Sequence, residues 1–318
     1  MQEQLIKRAK ELLAEGKVQK VVGWKKGLFD EDITPAVFTS AEELDKDFVF
    51  NKYCAANLSK YLVKITKDIE IKKSTTRMNN TMAKQRDPNA AEAPIPSEVV
   101  LVFLKPNDTY SFTQLLKENR ITRADVYAIG VPCQDTLEGG QPCVNCQNKK
   151  PVSCDELIGV EAEAPAVESS RMEMVEKLEA MTAEERYAFW QNEFSRCIRC
   201  NACRNICPAC TCEKCVFDNN ALYTSQKVAE TSFEESLFHI IRAWHVAGRC
   251  TDCGECSRVC PQGIPLHLLN RKFIKDINEI YGPYQAGADM ETKPAMLTFK
   301  EEDPETSIIS DRQEGGDE

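Results

Sequence analysis

The chain has 318 residues, 42% of them hydrophobic and 28% charged, and its 50 acidic against 40 basic side chains leave a net charge of −10. That composition fits a soluble globular chain long enough for two domains, and an acidic chain with no basic stripe is excluded from phosphate-driven nucleic-acid binding. Sixteen cysteines against three histidines, in a chain with no signal-like start, point to thiolate-bound metal rather than disulfides.

The first residues, Met1 to Arg8, lack an apolar core and a small-residue cleavage site, so the expected location is cytoplasmic. No apolar run approaches the roughly 20 residues of a membrane span. Residues 1–86 hold 17 Lys/Arg against 12 Asp/Glu, a net of +5, which leaves −15 for the remainder. The basic part reads as solvated surface, with a docking face for an acidic partner as the alternative.

Residues 2–15 carry Leu5, Ile6, Ala9, Leu12 and Leu13 on one side, a helical pattern that Gly16 ends. Val18 to Val22 and Pro35 to Thr39 read as short strands. Ser40 is placed to cap an acidic helix start at Ala41, and residues 54–66 read as helix. The polar stretch from Ser74 to Ser97, with Asn79, Asn80, Pro88, Pro94 and Pro96, reads as a loop. Val99 to Leu104 then has the unbroken apolar character of a buried strand. A helix through Leu115 and Leu116, capped by Asp108 or Thr109, leads to a second strand at Val126 to Ile129. Strand, helix and strand predict a right-handed βαβ crossover in a parallel sheet.

A Cys-, Gly- and Pro-rich loop follows, from Pro132 to Pro151. It holds Cys133, Cys143 and Cys146, and Cys154 lies just beyond it. Their C-x9-C-x2-C-x7-C spacing suits a third cluster, a zinc site or free thiols. Residues 160–170 read as a linker. Thr182 with Glu185 forms a candidate capping box for a helix that runs into the first cysteine motif.

That motif, Cys197-x2-Cys200-x2-Cys203-x3-Cys207-Pro208, is repeated as Cys250-x2-Cys253-x2-Cys256-x3-Cys260-Pro261. Three cysteines two residues apart wrap three iron corners of a cubane, and the fourth reaches the neighbouring cluster. One [4Fe-4S] cluster is therefore assigned to Cys197, Cys200, Cys203 and Cys260, and a second to Cys250, Cys253, Cys256 and Cys207. Zinc sites use pairs of cysteines rather than matched runs of four closed by Cys-Pro. Arg196, Arg199, Arg204, Arg249 and Arg258 flank the ligands, and their charge is expected to favour the reduced clusters. Between the motifs, Phe233, Leu237, Ile240, Ile241 and Trp244 predict an amphipathic helix. His239, His245 and His267 read as ordinary helix histidines. Cys54, Cys210, Cys212 and Cys215 remain; they are a candidate fourth site, with buried thiols as the alternative.

Phe50 to Leu58, Ile129 to Cys133, Cys143 to Cys146 and Leu157 to Gly159 carry a resemblance that continues through both cysteine motifs and Pro208 to Cys212. They resemble the deazaflavin (coenzyme F-420) hydrogenase and formate dehydrogenase beta-subunit-like proteins with a C-terminal 4Fe-4S dicluster domain. The resemblance implies electron relay beside hydrogenase, formate dehydrogenase or heterodisulfide-reductase-like subunits of anaerobes, with ferredoxin as a further partner. Two departures bear on this. Relatives carry Lys-Gly-Cys-Asp after the central strand, where this chain has Lys105-Pro106-Asn107-Asp108. Deazaflavin-reducing subunits place the cluster motif before the flavin domain, whereas here it follows. Deazaflavin reduction is therefore not carried over, and no Gly-x-Gly-x-x-Gly follows a strand to support a dinucleotide site.

The expected fold is α+β: an N-terminal α/β domain with a small mostly parallel sheet (1–159), a linker and helix start (160–181), a helical dicluster ferredoxin domain (182–285) and a polar acidic tail (286–318). The expected function is an iron–sulfur electron-transfer subunit of an oxidoreductase complex, with no catalytic residue singled out. A flavin- or deazaflavin-dependent reductase and a redox sensor or metal scaffold are the alternatives.

Overall fold

The computed structural model describes residues 1–133, 150–159, 171–218 and 233–294. Helix α1 (Gln2–Ala14) buries Leu5, Ala9 and Leu12, and Gly16 terminates it at φ +69°, a conformation glycine adopts without steric cost. Strands β1 (Lys20–Lys26) and β2 (Ile33–Phe38) pair antiparallel. Helix α2 (Ala41–Asp47) follows, and the Ser40 hydroxyl accepts the Glu43 amide at 3.2 Å, as the capping pattern required. Strand β3 (Val100–Leu104), helix α4 (Pro106–Lys117) and strand β4 (Val126–Gly130) form the expected parallel βαβ unit, with Val100 opposite Val126. The short β5 (Glu156–Leu157) adds in parallel. The sheet order is β2-β1-β3-β4-β5, parallel except for β2. The wholly buried β3 lies at its centre, and the edge strand β2 is the one that carries Pro35, where no ladder donor is lost.

Two local expectations are corrected. The first part of the stretch from Ser74 to Ser97 is not a loop: helix α3 (Ser59–Arg86) runs through it, and only 87–97 lie outside helix and strand. Thr75, Thr76 and Thr81 return their hydroxyls to the carbonyls one turn back, so these poor helix formers meet their own hydrogen-bonding needs inside the helix. Beyond Pro88 the chain folds back on α3, and Asn80 exchanges two 2.9 Å bonds with the Ala93 backbone. Neither Asp108 nor Thr109 caps α4. The helix starts earlier, with Lys105 at the cap and Pro106 in the first turn, where a missing N–H costs nothing.

The second half is helical: α5 (Glu173–Glu179), α6 (Ala183–Ser195), α7 (Ala202–Ile206), α8 (Phe233–Trp244), α9 (Glu255–Arg258) and α10 (His267–Tyr281). Thr182 and Glu185 form the reciprocal capping box of α6. The fold is thus α+β, with a five-stranded, mostly parallel sheet followed by a helical region. No described helix is long and apolar enough to cross a membrane.

Helix α8 turns its apolar stripe outward. Phe233 and Trp244 are 72% and 61% exposed, whereas Glu235, His239 and Arg242 are buried. Next to this stripe, Ile240 helps line a cleft of about 530 Å³ with Tyr187, Trp190 and Leu268. The linker at 160–170 lies outside the described residues, as does the tail from 295. The first part of the expected tail is packed: Ala286 is buried, and Lys117 of α4 donates to the Thr292 carbonyl.

Candidate iron–sulfur centres

Each cysteine motif combines a tight loop, one short helix and a half-crossing to the other motif. The two loops repeat each other in backbone conformation. Arg199 and Asp252, just before the second cysteine of each motif, have φ of 58° and 56°. Asn201 and Gly254, just after it, have 60° and 71°. Left-handed backbone costs an ordinary L-residue roughly 1–2 kcal/mol, so repetition at matched positions marks a loop shape under functional demand. That shape aims amides at sulfur. The Arg199 amide donates to Cys197 Sγ at 3.3 Å, and its counterpart Asp252 donates to Cys250. Likewise Arg204 donates to Cys203 and Ser257 to Cys256.

The strained residues are held by buried ion pairs. Arg199 stands 3.6 Å from Glu235 of α8 and lies 3.9 Å over the Phe238 ring, a cation–π contact. Asp252 receives Arg271 of α10 at 2.9 Å and Arg171 at 3.2 Å. Arg271 also donates to the Arg171 carbonyl.

The structure gathers the two cysteine sets in the crossed arrangement. Cys197, Cys200, Cys203 and Cys260 line one cavity, with Phe238 and His239 in its wall. Cys207, Cys250, Cys253 and Cys256 line another, with Asn270 and His267. Burial raises the thiols of Cys203, Cys250 and Cys253, and pushes Cys256 up to about 12. A bare thiolate is thus costly in either cavity, and a bound iron core removes that cost by taking up the sulfur charge. No group of three or more described His, Cys, Asp or Glu side chains closes on a common point as ligands of a metal ion do. In a cubane each thiolate takes its own iron corner. With four cysteines per cavity, amides directed at sulfur and buried polar nitrogens left without partners, the residues fit iron–sulfur clusters.

His239 departs from the expectation of a satisfied helix histidine. It stacks on Phe194 at 4.5 Å, yet neither ring nitrogen has a hydrogen-bond partner. Burial, with Arg242 and Arg199 nearby, lowers it to about 3, so the ring is neutral. His267 does follow the expectation through a 2.7 Å bond to Ser257. Each flanking arginine also meets a carboxylate: Arg196 Glu193, Arg199 Glu235, Arg204 Asp218, Arg249 Glu118 and Arg258 Glu255. Much of their charge is therefore spent locally. Arg242, absent from the sequence expectations, sits at 5% exposure among the thiols of both sets. A signal did exist: Glu235, His239 and Arg242 recur at helical spacing between the two motifs.

The remaining cysteines separate. Cys54 belongs to the α/β core, its thiol facing the Val49 carbonyl. Its electrostatic neighbours are Asn51 and Lys105, with no cysteine among them. Cys210 instead has Cys207, Lys60, Cys215 and Cys212 around it. The structure thus does not bring Cys54 to Cys210, Cys212 and Cys215, because the sheet core retains it. Of the proposed third set, Cys143 and Cys146 lie outside the described residues. Cys133 follows β4, and the Cys154 sulfur rests against Gly130 at the end of that strand.

The α/β unit forms part of the second centre. Ser111, Gln114 and Leu115 of α4 line its cavity. Asn57 Nδ2 donates to Ser111 Oγ at 2.9 Å, and Ser111 Oγ lies 2.8 Å from Thr251 Oγ1. The Asn57 amide donates to Glu255, and Arg249 pairs with Glu118. Asp108, in the first turn of α4, is 3% exposed, and its Oδ2 stands 3.6 Å from Lys105 Nζ. Burial raises its carboxyl to about 7; Lys105 opposes the rise, and Glu255 adds to it. Arg258 also faces this group. A carboxyl raised in the folded state binds its proton where the unfolded chain does not, so stability falls as pH rises from about 4 to about 7. That loss is of order 4 kcal/mol. His239 and His267, both lowered in the folded chain, add the same upward slope to both proteins, so between pH 6 and 8 the thermal midpoint of anaerobic Asp108→Asn is expected to rise relative to that of the wild type. Equal slopes for the two chains would remove Asp108 from this role.

Comparison with known proteins agrees with the site. Residues 193–264 match the 4Fe-4S dicluster domain. The chain is 29% identical over 131 residues to the F420-dependent formate dehydrogenase subunit beta of Methanocaldococcus jannaschii, a match that covers 40% of this chain and 34% of that protein. It is 32% identical over 133 residues to the F420-dependent formate dehydrogenase 1 subunit beta of Methanococcus maripaludis, covering 41% and 33%. The match thus spans about a third of the length of either relative.

Proposed function

We propose that this chain is an iron–sulfur electron-transfer subunit that relays electrons between redox partners in a multi-subunit anaerobic oxidoreductase complex. Cys197, Cys200, Cys203 and Cys260 would hold one [4Fe-4S] cluster, and Cys250, Cys253, Cys256 and Cys207 the other. When bound, the clusters supply one-electron transfer; the chain's own residues bury them and balance their charge. The observation that carries this reading is the pair of neighbouring cavities, each lined by four cysteines drawn crosswise from two motifs. The relatives' names favour a formate-dehydrogenase-type complex, with hydrogenase or heterodisulfide-reductase-like subunits and ferredoxin as the other partner classes. A cytoplasmic location follows from the same reading. A third cluster at Cys133, Cys143, Cys146 and Cys154 would extend the relay.

The relatives' F420-dependence favours one alternative, a flavin- or deazaflavin-dependent reductase subunit. Purification from native cells under anaerobic conditions separates the two. The relay predicts copurifying redox subunits, no stoichiometric flavin, and about 8 iron atoms per chain for two cubanes or about 12 for three. A chain isolated alone, with bound flavin and its own turnover, would overturn it.

A further inference from the structure

Helix α8 passes both cavities. Phe238 and His239 line the first, while Val246, just beyond the helix, packs against Cys207 and Cys250 of the second. Arg242 lies one turn after Phe238 and one turn before Val246, and residues four apart share a helix face. The side chain is 5% exposed, and its Nε and one Nη have no hydrogen-bond partner. The charges around it are Cys256, Cys203, Cys207 and Cys250, drawn from both sets. Arginine keeps its charge in any protein environment, and a buried charge is retained only where something opposes it. The other arginines near the ligands have carboxylates for this purpose; the groups that oppose the charge of Arg242 are cysteines.

We infer that Arg242 is the shared counter-charge of the two clusters, raising the reduction potential of both from its position between them. The inference rests on the two-cluster reading above. Each cluster accepts one electron from a redox partner and gains one negative charge, with no bond made or broken. A fixed positive charge stabilises that reduced state more than the oxidised one. Because one buried guanidinium lies within electrostatic reach of cysteines from both sets, a single substitution should move two midpoints together. Glu235 and His239 do not duplicate the effect: Glu235 is engaged with Arg199, and His239 is neutral.

The test is potentiometric titration of the full chain under anaerobic conditions, followed by electron paramagnetic resonance, on wild type, Arg242→Gln and Arg242→Lys. Iron and sulfide are measured first. Fewer than about 8 iron atoms in the wild type would sink the two-cluster reading itself. With both clusters present, Arg242→Gln should lower both midpoints by a factor of at least about ten in reduction equilibrium, about 59 mV for one electron. Arg242→Lys should stay near wild type. Unchanged midpoints in Arg242→Gln, or a shift in one cluster alone, overturn the inference. If the glutamine variant fails to hold clusters, retention by the lysine variant supports a requirement for charge. Loss in both variants assigns Arg242 to packing and overturns it.

Discussion

Cys260→Ala combined with Cys200→Ala should empty one of the two crossed sites, a loss of about 4 iron atoms per chain, whereas Cys260→Ala combined with Cys253→Ala should empty both, a loss of about 8. Cys260 ends the second motif in sequence but lines the cavity of Cys197, Cys200 and Cys203. Cys207 ends the first motif and lines the cavity of Cys250, Cys253 and Cys256. Under this crossed arrangement, the first double variant strips two ligands from one cluster. The second strips one ligand from each. Assignment of each motif to its own cluster predicts the opposite pair of results, so iron, sulfide and resonance signals from these two proteins decide between them. The effect is large because a lost thiolate is not readily replaced nearby: Cys210, the neighbouring spare, is half-buried with its thiol raised to about 11.

Asp252→Ala should destabilise the chain by about 3–5 kcal/mol, the usual result of removing one partner from a buried ion pair. Asp252 is 8% exposed and is the carboxylate shared by Arg271 and Arg171. Without it two buried guanidinium groups face each other across the loop that carries Cys250 and Cys253. Asp252→Asn should cost less, because asparagine tolerates the φ of 56° found there and keeps a hydrogen-bond acceptor. Anaerobic denaturation of the three proteins measures this. An alanine variant as stable as the wild type would remove the ion pairs from this role, and an alanine variant no weaker than the asparagine variant would mean that neither the acceptor nor the backbone conformation at this position matters.

The features legible in the sequence were those set by near neighbours along the chain. The cysteine runs declared a cubane loop because three ligands within seven residues have few other uses. The capping box at Thr182, the apolar β3 and the Gly16 stop were readable because the groups involved lie within a turn of one another. Helix α3 beyond Ser74 was lost because its support comes from threonine back-bonds and a return segment, not from periodic apolar residues. The face of α8 was hidden for a related reason. Its apolar residues were visible, but what its other face packs against depends on two motifs that flank it in sequence.

By itself, the sequence pointed to the chemistry of this protein: cysteines in two matched runs, a spacing that favours iron–sulfur over single-ion metal binding. Tertiary structure alone decided how those sets are surrounded. It placed α4 of the sheet domain against the second cavity, gave each flanking arginine a carboxylate, left Arg242 to sulfur, and kept Cys54 away from Cys210. Ligand spacing is a local property fixed by a few backbone dihedrals, whereas the balance of buried charge is a sum over groups far apart in the chain, and only folding brings them together.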